Sequence, residues 1–432
     1  MAVGGRRIRT GVTMNAGIGH SASGVSSSVD RPTAIDRALA GLLARALGAT
    51  PWRVTLWDGS DAAAATSSAR FRLHVHTRRA LLRLVVHPQL YFGDCYADGS
   101  IDIEGNLPDA LTALYIGTGE PHGLRVALDR AGAYLRRIDP TRSRGNVHHH
   151  YDIGNDFYQL WLDEGMVYTC AYFTSPHLTL EEAQVAKLDH VCRKLRLRPG
   201  EEVIEAGCGW GALALHMAAH YGARVRAFNV SREQIAYARE AAARAGLAGR
   251  VEFIEDDYRS AAGHCDAFVS VGMLEHVGPR SYRELGHVID RLLRADGRGF
   301  VHTIGRCRPA PTNPWIRRRI FPDGYTPSLR EMMEIFEPNG FAVLDVENLR
   351  AHYALTLEHW LARYERALPQ VRAMFDESFV RTWRLYLAGS IAGFRKGSMQ
   401  LFQVLFARPT GDRLPATRSD VYAVDGESDG TL

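Results

Sequence analysis

Short strand-like apolar runs alternate with helix-like segments over much of the second half of the chain. The apolar runs are EEVIEAG, ARVRAFNV, VEFIE, AFVSVG and GFVHTIG, which lie between residues 201 and 305. Between the first three, ALALHMAAHYG ends at Gly222 and the Ala-rich REQIAYAREAAARAG ends at Gly246, since glycine commonly ends a helix. Strands that alternate with helices predict an α/β fold with a doubly wound, mainly parallel sheet.

The first part of the chain has a different pattern and predicts a smaller mixed domain over residues 34–140. Here WRVTLW and FRLHVH resemble strands, ALLRLVV resembles a helix, and YFGDCYADGSIDIEGNL is punctuated by glycine. The Gly/Ser-rich residues 1–33 lack periodicity and are predicted to form a disordered tail. The basic TRSRGN segment, 141–146, is typical of a linker that begins a larger domain at 141–408, and a polar tail is predicted at 409–432.

Composition limits the classes of function. The 432 residues suggest two or three domains, and the formal charge of +4 suits an anionic surface such as a phospholipid leaflet better than nucleic acid. No apolar run reaches transmembrane length, so any membrane contact is predicted to be peripheral. The six cysteines show neither a CxxC pair nor metal-ligand spacing, and no secretory signal is evident. We therefore expect a cytoplasmic protein with no metal site.

Glycines follow the first strand of the larger domain directly, in VIEAGCGWGA. Gly207, Gly209 and Gly211 are spaced G-x-G-x-G, whereas a dinucleotide site favours G-x-G-x-x-G and here has Ala212 at its sixth position. With Glu205 just before the turn, the spacing favours S-adenosylmethionine as the ligand. The structural alternative, that the glycines only shape a βα turn, remains open at this point.

Two further groups of residues follow the next two strands. Asn229, Ser231 and Gln234 are neutral hydrogen-bonding groups at the end of the second strand, where the ribose of such a ligand would lie. The third strand ends in EDDY, which places Asp257 and Tyr258 where the edge and face of an adenine are expected.

Six motifs in order along the chain resemble one known family. They are HHHYDIGNDFYQLWLDEGMVYTCAYF, LEEAQVAKLDHVCRKLRLRPG, AGCGWG, VSVGMLEHVG, HTIG and IFPDG. Together, from about Gly145 to about Arg408, they resemble the cyclopropane-fatty-acyl-phospholipid synthases and the related mycolic acid methyltransferases. The resemblance implies a class I methyltransferase with a Rossmann-like doubly wound sheet. It also implies that the first domain docks onto a bilayer or a second subunit, which would give a homodimer.

The resemblance implies a reaction as well. Members of this family transfer the methyl group of S-adenosylmethionine to a cis double bond of a fatty acyl chain, and a bound bicarbonate accepts the proton that leaves before the ring closes. In the family the bicarbonate is held by side chains that match Glu275, His302 and Tyr353 here. Main-chain groups that match Cys170 and Ile304 complete its pocket.

Cys170 lies in the aromatic stretch VYTCAYF, and the residues alone allow three interpretations: a buried structural thiol, a nucleophile, or a binding wall that uses its backbone. The resemblance favours the wall. It also implies that Tyr168 and Thr169 touch S-adenosylmethionine. Aromatic faces stabilise a sulfonium ion. Tyr168, Phe173, Trp210 and Tyr258 are therefore candidates for that role, with core packing an equal alternative for Phe173 and Trp210.

The segment TNPWIRRRIFPDG places Arg317, Arg318 and Arg319 beside Trp315 and Phe321, as in a surface that grips phospholipid headgroups or in a solvated basic loop.

Two positions differ from the family pattern: Glu205 replaces its usual aspartate, and Ser390 replaces a cysteine. The serine leaves a methyl-branched or methylene product as the alternative to a cyclopropane. A methyltransferase for small nucleophiles and a catalytically silent lipid-binding protein are less consistent with the intact glycine turn and anion pocket.

Overall fold

A computed structural model describes most of the chain. The described residues are 31–48, 50–62, 69–118, 153–322, 324–409 and 417–422. Most of the predicted tail at residues 1–33, the predicted linker at 141–146 and the HHHYD portion of the first family motif lie outside the described residues.

In the described residues, the first unit consists of a small three-stranded mixed sheet and four helices. This agrees with the predicted smaller mixed domain, although the sequence pattern indicated only two strands and one helix. Its elements are α1 (Ala34–Ala46), β1 (Trp52–Thr55), β2 (Phe71–Val75), α2 (Arg78–Val86), α3 (Pro88–Ala97), β3 (Ile101–Glu104) and α4 (Leu107–Thr118). Strand β2 lies in the centre, parallel to β1 and antiparallel to β3. Thr33 and Asp36 form a capping box that begins α1.

The larger unit contains a seven-stranded sheet in the order β6-β5-β4-β7-β8-β10-β9. Its strands are β4 (Glu202–Ala206), β5 (Arg224–Asn229), β6 (Val251–Glu255), β7 (Cys265–Val271), β8 (Leu293–Gly305), β9 (Ala342–Asn348) and β10 (Gln400–Ala407). β10 is antiparallel to both of its neighbours, whereas β4 to β8 pair in parallel. The predicted doubly wound, mainly parallel sheet is confirmed.

Helices cover this sheet on both sides. They are α5 (Asn155–Gln159), α6 (Leu180–Leu195), α7 (Ala212–His220), α8 (Arg232–Arg244), α9 (Tyr282–Leu292), α10 (Pro314–Arg319), α11 (Leu329–Phe336), α12 (Arg350–Arg366), α13 (Leu368–Met374), α14 (Glu377–Lys396) and α15 (Ser419–Tyr422). The strand order reverses between β4 and β7. In open α/β sheets, ligands bind beyond the carboxyl ends of the strands at such a reversal.

The short α15 lies within the segment predicted to be a polar tail. Its Asp420 accepts hydrogen bonds from Arg196, and the adjacent Arg418 pairs with Asp345. Val421 is buried. This part of the tail is therefore ordered against α6 and β9. Within the described ranges, no helix is both long and apolar enough to cross a membrane.

The two units share one hydrophobic core, with α14 packed between the first unit and α12. Arg319 forms a two-pronged ion pair with Asp94, at 2.9 and 3.1 Å, and Arg381 pairs with Asp102 at 2.7 Å. Gly93 lies against Trp315, so closely that a Cβ on Gly93 would be 2.3 Å from the indole ring. The first unit is therefore fixed beside the carboxyl edge of the large sheet.

Candidate functional site

A cavity of about 1700 Å³ opens at the carboxyl edge of the large sheet, at the reversal between β4 and β7. Its wall includes the β4–α7 loop, the ends of β5, β7 and β8, and parts of α10, α12 and α14. The first unit forms a further part of the wall. Pockets for single small ligands usually occupy about 300–1,000 Å³, so this cavity has room for a second molecule beside a nucleoside.

The three glycines of the predicted turn lie in or beside the cavity wall, and the space around each of them differs. A Cβ on Gly207 would lie 2.8 Å from Met273, and one on Gly211 would lie 2.6 Å from the ring of Phe253. Those two glycines therefore permit close packing. Gly209 has a left-handed φ of +54°, and no heavy atom lies within 4 Å of the position its Cβ would take. The open space beside Gly209 fits a bound ligand that approaches the backbone closely.

The three neutral residues predicted near a ribose lie together but differ in role. Asn229 donates from Nδ2 to the Gly209 carbonyl oxygen at 3.2 Å and to Gln234 Oε1 at 2.7 Å, so it supports the glycine turn. Ser231 caps α8 and lies outside the cavity wall. Asn229 and Gln234 both line the cavity and can face a ligand.

Asp257 and Tyr258 line the same cavity after β6. The Asp257 carboxylate accepts two hydrogen bonds from Arg259 Nη1, at 3.1 and 2.9 Å, and that guanidinium lies 4.8 Å from the centre of the Tyr258 ring. The Tyr258 hydroxyl is buried and has no hydrogen-bond partner in the described part of the chain, and burial raises its pKa. Tyr258 therefore offers the cavity a ring and an unused hydroxyl.

Lys187 is a buried cation in the cavity wall that the sequence reasoning missed. Its Nζ donates to Thr169 Oγ1 at 3.0 Å, and burial lowers its pKa to about 8. Glu205, also in the wall, has its pKa raised to about 8 by burial, an effect that the charge of Lys187 partly offsets. The sequence does contain a sign that Lys187 is buried, because this lysine lies with Ala183 and Leu188 on the apolar face of α6.

Glu275 follows β7 and reaches the cavity with one anchored and one unused oxygen. Its Oε1 accepts a 2.7 Å hydrogen bond from the backbone N–H of Ile304. Its Oε2 is enclosed and has no hydrogen-bond partner among the described residues. Burial raises the pKa of Glu275 to about 7, so this carboxyl can gain or lose a proton near neutral pH. Glu275 and Ile304 both line the cavity.

His302 lies on β8 behind the cavity wall, and its ring is almost fully buried. Nδ1 is 3.1 Å from Gln403 Nε2, which leaves Nε2 with no partner in the part of the chain that the structure describes. Burial and the nearby cations of α6 lower its pKa well below the ordinary value, so the ring is neutral. The hydrogen-bond partner of His302 is thus Gln403, whereas that of Glu275 is the backbone of Ile304.

Cys170 is fully buried, and its thiol faces Thr356 rather than the cavity. Burial raises the pKa of the thiol far above its ordinary value, which disfavours the thiolate that a nucleophile requires. The backbone N–H of the next residue, Ala171, donates to Thr356 Oγ1 at 3.0 Å. Tyr353, one turn before Thr356 on α12, does line the cavity.

Three of the four aromatic candidates line the cavity, and Phe173 does not. Tyr168 lines the cavity, and its hydroxyl lies 3.0 Å from that of Tyr386. Trp210 also lines it, while its Nε1 donates to Asn155 Oδ1 at 2.7 Å. Phe173 is not part of the wall and stacks on His359 with ring centres 5.3 Å apart.

The basic segment is divided between two roles. Arg319 is held by Asp94 at the interface between the units. Arg317 and Arg318 line the cavity, as does Lys396 at the end of α14. Among the described residues, no group of three or more His, Cys, Asp or Glu side chains could hold a metal ion.

Comparison with known proteins identifies relatives for both units. The sequence model of the mycolic acid cyclopropane synthetase family matches residues 138–404, and a domain of unknown function, DUF7884, matches residues 39–119. A probable fatty acid methyltransferase of Pseudomonas putida is 36% identical over 384 residues, covering 86% of this chain and 96% of that protein.

The cyclopropane-fatty-acyl-phospholipid synthase of Escherichia coli K12 is 39% identical over 300 residues, covering 69% of this chain and 77% of that protein. A crystal structure of mycolic acid cyclopropane synthase CmaA1 complexed with SAH and CTAB superposes with a TM-score of 0.58 at 32% identity, and the match covers 61% of this chain and 97% of that one. The family match spans the glycine turn, Glu275 and Tyr353.

Proposed function

This chain belongs to the mycolic acid cyclopropane synthetase family of S-adenosylmethionine-dependent methyltransferases, and we propose that it methylates a cis double bond in unsaturated acyl chains of membrane phospholipids and closes a cyclopropane ring. The observation that carries the proposal is a single cavity that joins the open glycine turn at Gly209 to the unused oxygen of Glu275. This cavity would hold the methyl donor together with a carboxyl group that can gain or lose a proton.

The residues present fit S-adenosylmethionine. The space beside Gly209 allows the ligand to approach the backbone, and Asn229, Gln234, Asp257 and Tyr258 offer polar groups and a ring along the same wall. We assign the methionine end to the region of Thr169, Lys187 and Glu205, where a hydroxyl, a cation and a carboxyl complement an amino acid. Tyr168, in the same wall, is assigned to the methionine end as well.

Two buried atoms bear on whether the residues fit bicarbonate, the base that the family resemblance implies. Glu275 Oε2 and His302 Nε2 each lack a partner within the described residues, and an anion that carries one O–H has complementary donors and acceptors for both. When bound, bicarbonate supplies a base. Glu275, Tyr353 and the backbone at Ile304 line the cavity and would hold it, with His302 behind that wall; Cys170 lies outside the wall, and its backbone is included only because the resemblance implies it.

In the proposed reaction, the S–CH₃ bond breaks as one alkene carbon bonds to the methyl group, and the other alkene carbon becomes positive. A proton then leaves the new methyl group, and its C–H electrons form the second ring bond. The chain contributes in two ways: Glu275, with a pKa of about 7, can hold or release a proton at Oε2, and the rings of Tyr168 and Tyr353 line the cavity and offer aromatic faces to the cation.

The proposed setting is the cytoplasmic face of a membrane, with the protein bound peripherally and without a nucleic-acid partner. Arg317, Arg318 and Lys396 line the cavity and supply positive charge for a phospholipid headgroup. In this proposal residues 34–140 form the docking domain, in which a homodimer would also be assembled, and residues 141–408 form the methyltransferase domain.

A methyl-branched or methylene product is the second candidate. Two observations favour it: the relative from Pseudomonas putida is described as a probable fatty acid methyltransferase, and Ser390 in the cavity wall replaces the family's cysteine. The shared chemistry is tested by incubating the protein with methyl-labelled S-adenosylmethionine and vesicles of unsaturated phospholipid. Label is expected in the lipid, and saturated vesicles should remain unlabelled. No label in either vesicle would contradict both candidates.

A further inference from the structure

The cavity continues from the large sheet into the first unit, the part of the chain that matches a domain of unknown function. Its wall there is mainly aliphatic and comes from the four helices α1 to α4 and from β2. Its leucines are Leu43, Leu47, Leu73, Leu84, Leu90, Leu111 and Leu114.

We propose that this aliphatic part of the first unit binds the methyl end of the acyl chain and so selects chain length, an inference that rests on the acyl substrate of the proposed function. Four of those leucines are buried in the core that the two units share: Leu47, Leu73, Leu84 and Leu111. A methylene group that enters such surroundings leaves water, which strengthens binding about fourfold for each group. A longer chain beyond the double bond therefore binds more tightly until the space ends.

The distribution of charge orients the chain. The cations Arg317, Arg318 and Lys396 lie in the same cavity on the larger unit, and they suit the anionic end of a lipid. The aliphatic wall of the first unit suits the opposite end. A phospholipid with its headgroup at the cations then places its acyl chain past the glycine turn and into the first unit.

The passage between the two units is lined by small residues of α14. Gly389 and Ser390 both line the cavity, and a Cβ on Gly389 would be 3.6 Å from the hydroxyl oxygen of Tyr115 on α4. The ion pairs of Asp94 with Arg319 and of Asp102 with Arg381 fix the units on either side. The cavity thus continues across the junction between the two units.

The test uses two pairs of neighbouring residues. Leu114→Trp and Leu43→Trp place a large ring in the cavity wall, whereas Ile116→Trp and Leu42→Trp place it on the outside of the same helices, where the native side chains are 65% and 50% exposed. Methyl transfer is measured with oleoyl and myristoleoyl phosphatidylglycerol vesicles, whose chains differ only in length beyond the same double bond. Calorimetry with S-adenosylmethionine confirms that each variant is folded.

The two cavity variants should lose about tenfold or more in kcat/KM with the oleoyl lipid, which follows from displacing two or more methylene groups, and much less with the myristoleoyl lipid. Both outer variants should behave like the wild type. Unchanged chain-length preference in the cavity variants, or equal losses in the outer ones, would overturn the proposal.

Binding of cis-parinaric acid, a fluorescent long-chain fatty acid, separates this proposal from the proposed function because it requires no turnover. If the wild type transfers no methyl group but the cavity variants bind the probe about fourfold or more weakly than the outer variants, the proposed function fails and the acyl subsite stands. If turnover occurs and all variants bind the probe alike, the acyl subsite fails.

Discussion

Glu275 Oε1 accepts a 2.7 Å hydrogen bond from the backbone N–H of Ile304, so one oxygen of this carboxyl is fixed while the other faces no partner within the described chain. Glu275 follows β7 and Ile304 lies on β8, so this hydrogen bond joins two segments that are 29 residues apart in the sequence. The fixed oxygen orients the carboxyl, and the unused oxygen is the group available for chemistry.

Glu275→Gln should lower turnover by about 10²-fold or more, a typical contribution of a general acid or base. Affinity for S-adenosylmethionine should be retained, because the amide has the same size. Labelled methyl transfer and calorimetry measure the two effects, and Glu252→Gln, at an exposed position on β6, is the matched control. Turnover that is equal in the two variants would exclude Glu275 from the reaction.

The pH dependence of stability should report the same carboxyl. Because burial raises the pKa of Glu275 from 4.5 to about 7, the folded state holds more protons than the unfolded state between these values. The contribution of Glu275 to stability therefore falls as pH rises through that window. Glu275→Gln should lack this loss, so the variant gains stability relative to the wild type at pH 8 but not at pH 4, as urea unfolding would measure. An identical pH profile would contradict the raised pKa.

Cys170→Ser should reduce turnover only a few-fold, since the thiol is buried, faces Thr356 and has a raised pKa. Placing a hydroxyl in this site should cost about 1–3 kcal/mol of stability. Turnover per folded molecule is therefore the quantity to measure. A loss as large as that of Glu275→Gln would restore the thiolate interpretation.

Gly209→Val should abolish S-adenosylmethionine binding, because the branched side chain would occupy the open space beside the turn. A valine at positive φ also strains the backbone by about 1–2 kcal/mol. Gly246→Val controls for this strain: Gly246 has a φ of +67° with equally open surroundings, and it ends α8 outside the cavity wall. Unchanged affinity in a folded Gly209→Val protein would remove the ligand from this turn.

Lys187→Met should weaken S-adenosylmethionine binding about tenfold or more, since a hydrogen bond from a charged donor contributes about 1.5–3 kcal/mol and Lys187 holds the Thr169 hydroxyl. The matched control is Lys194→Met, which removes a buried cation of the same helix that pairs with Glu347 away from the cavity. The control should lose stability but keep affinity for S-adenosylmethionine. Equal affinities in the two variants would make Lys187 purely structural.

The sequence predicted the features that depend on local pattern. Strand and helix alternation, the glycine turn at Gly209 and the six family motifs were sufficient for the fold and for the family resemblance, and both are confirmed. Contacts between distant segments were not accessible in the same way. The pairing of His302 with Gln403 depends on the antiparallel register of β8 and β10, which no local pattern specifies.

The cavity shows the same limit on a larger scale. Leu114 and Ser390 line one space although they are far apart in the sequence, because α14 packs against α4. Arg319 looked like one of three equivalent cations, but its pairing with Asp94 assigns it to the interface between the units. Such differences in role between neighbouring residues arise from packing, and apolar periodicity alone indicates only which face of each helix is buried.

Proton NMR of the lipid product tests the central claim, ring closure on an unsaturated acyl chain, most directly. Mass alone cannot decide, because a ring and a methylene branch each add one CH₂. With wild-type protein, S-adenosylmethionine and unsaturated phospholipid vesicles, the account predicts cyclopropane proton signals upfield of the other lipid signals. Their intensity should rise when bicarbonate is added to depleted enzyme. Vinylic signals of a methylene group in a product without upfield signals would contradict the claim.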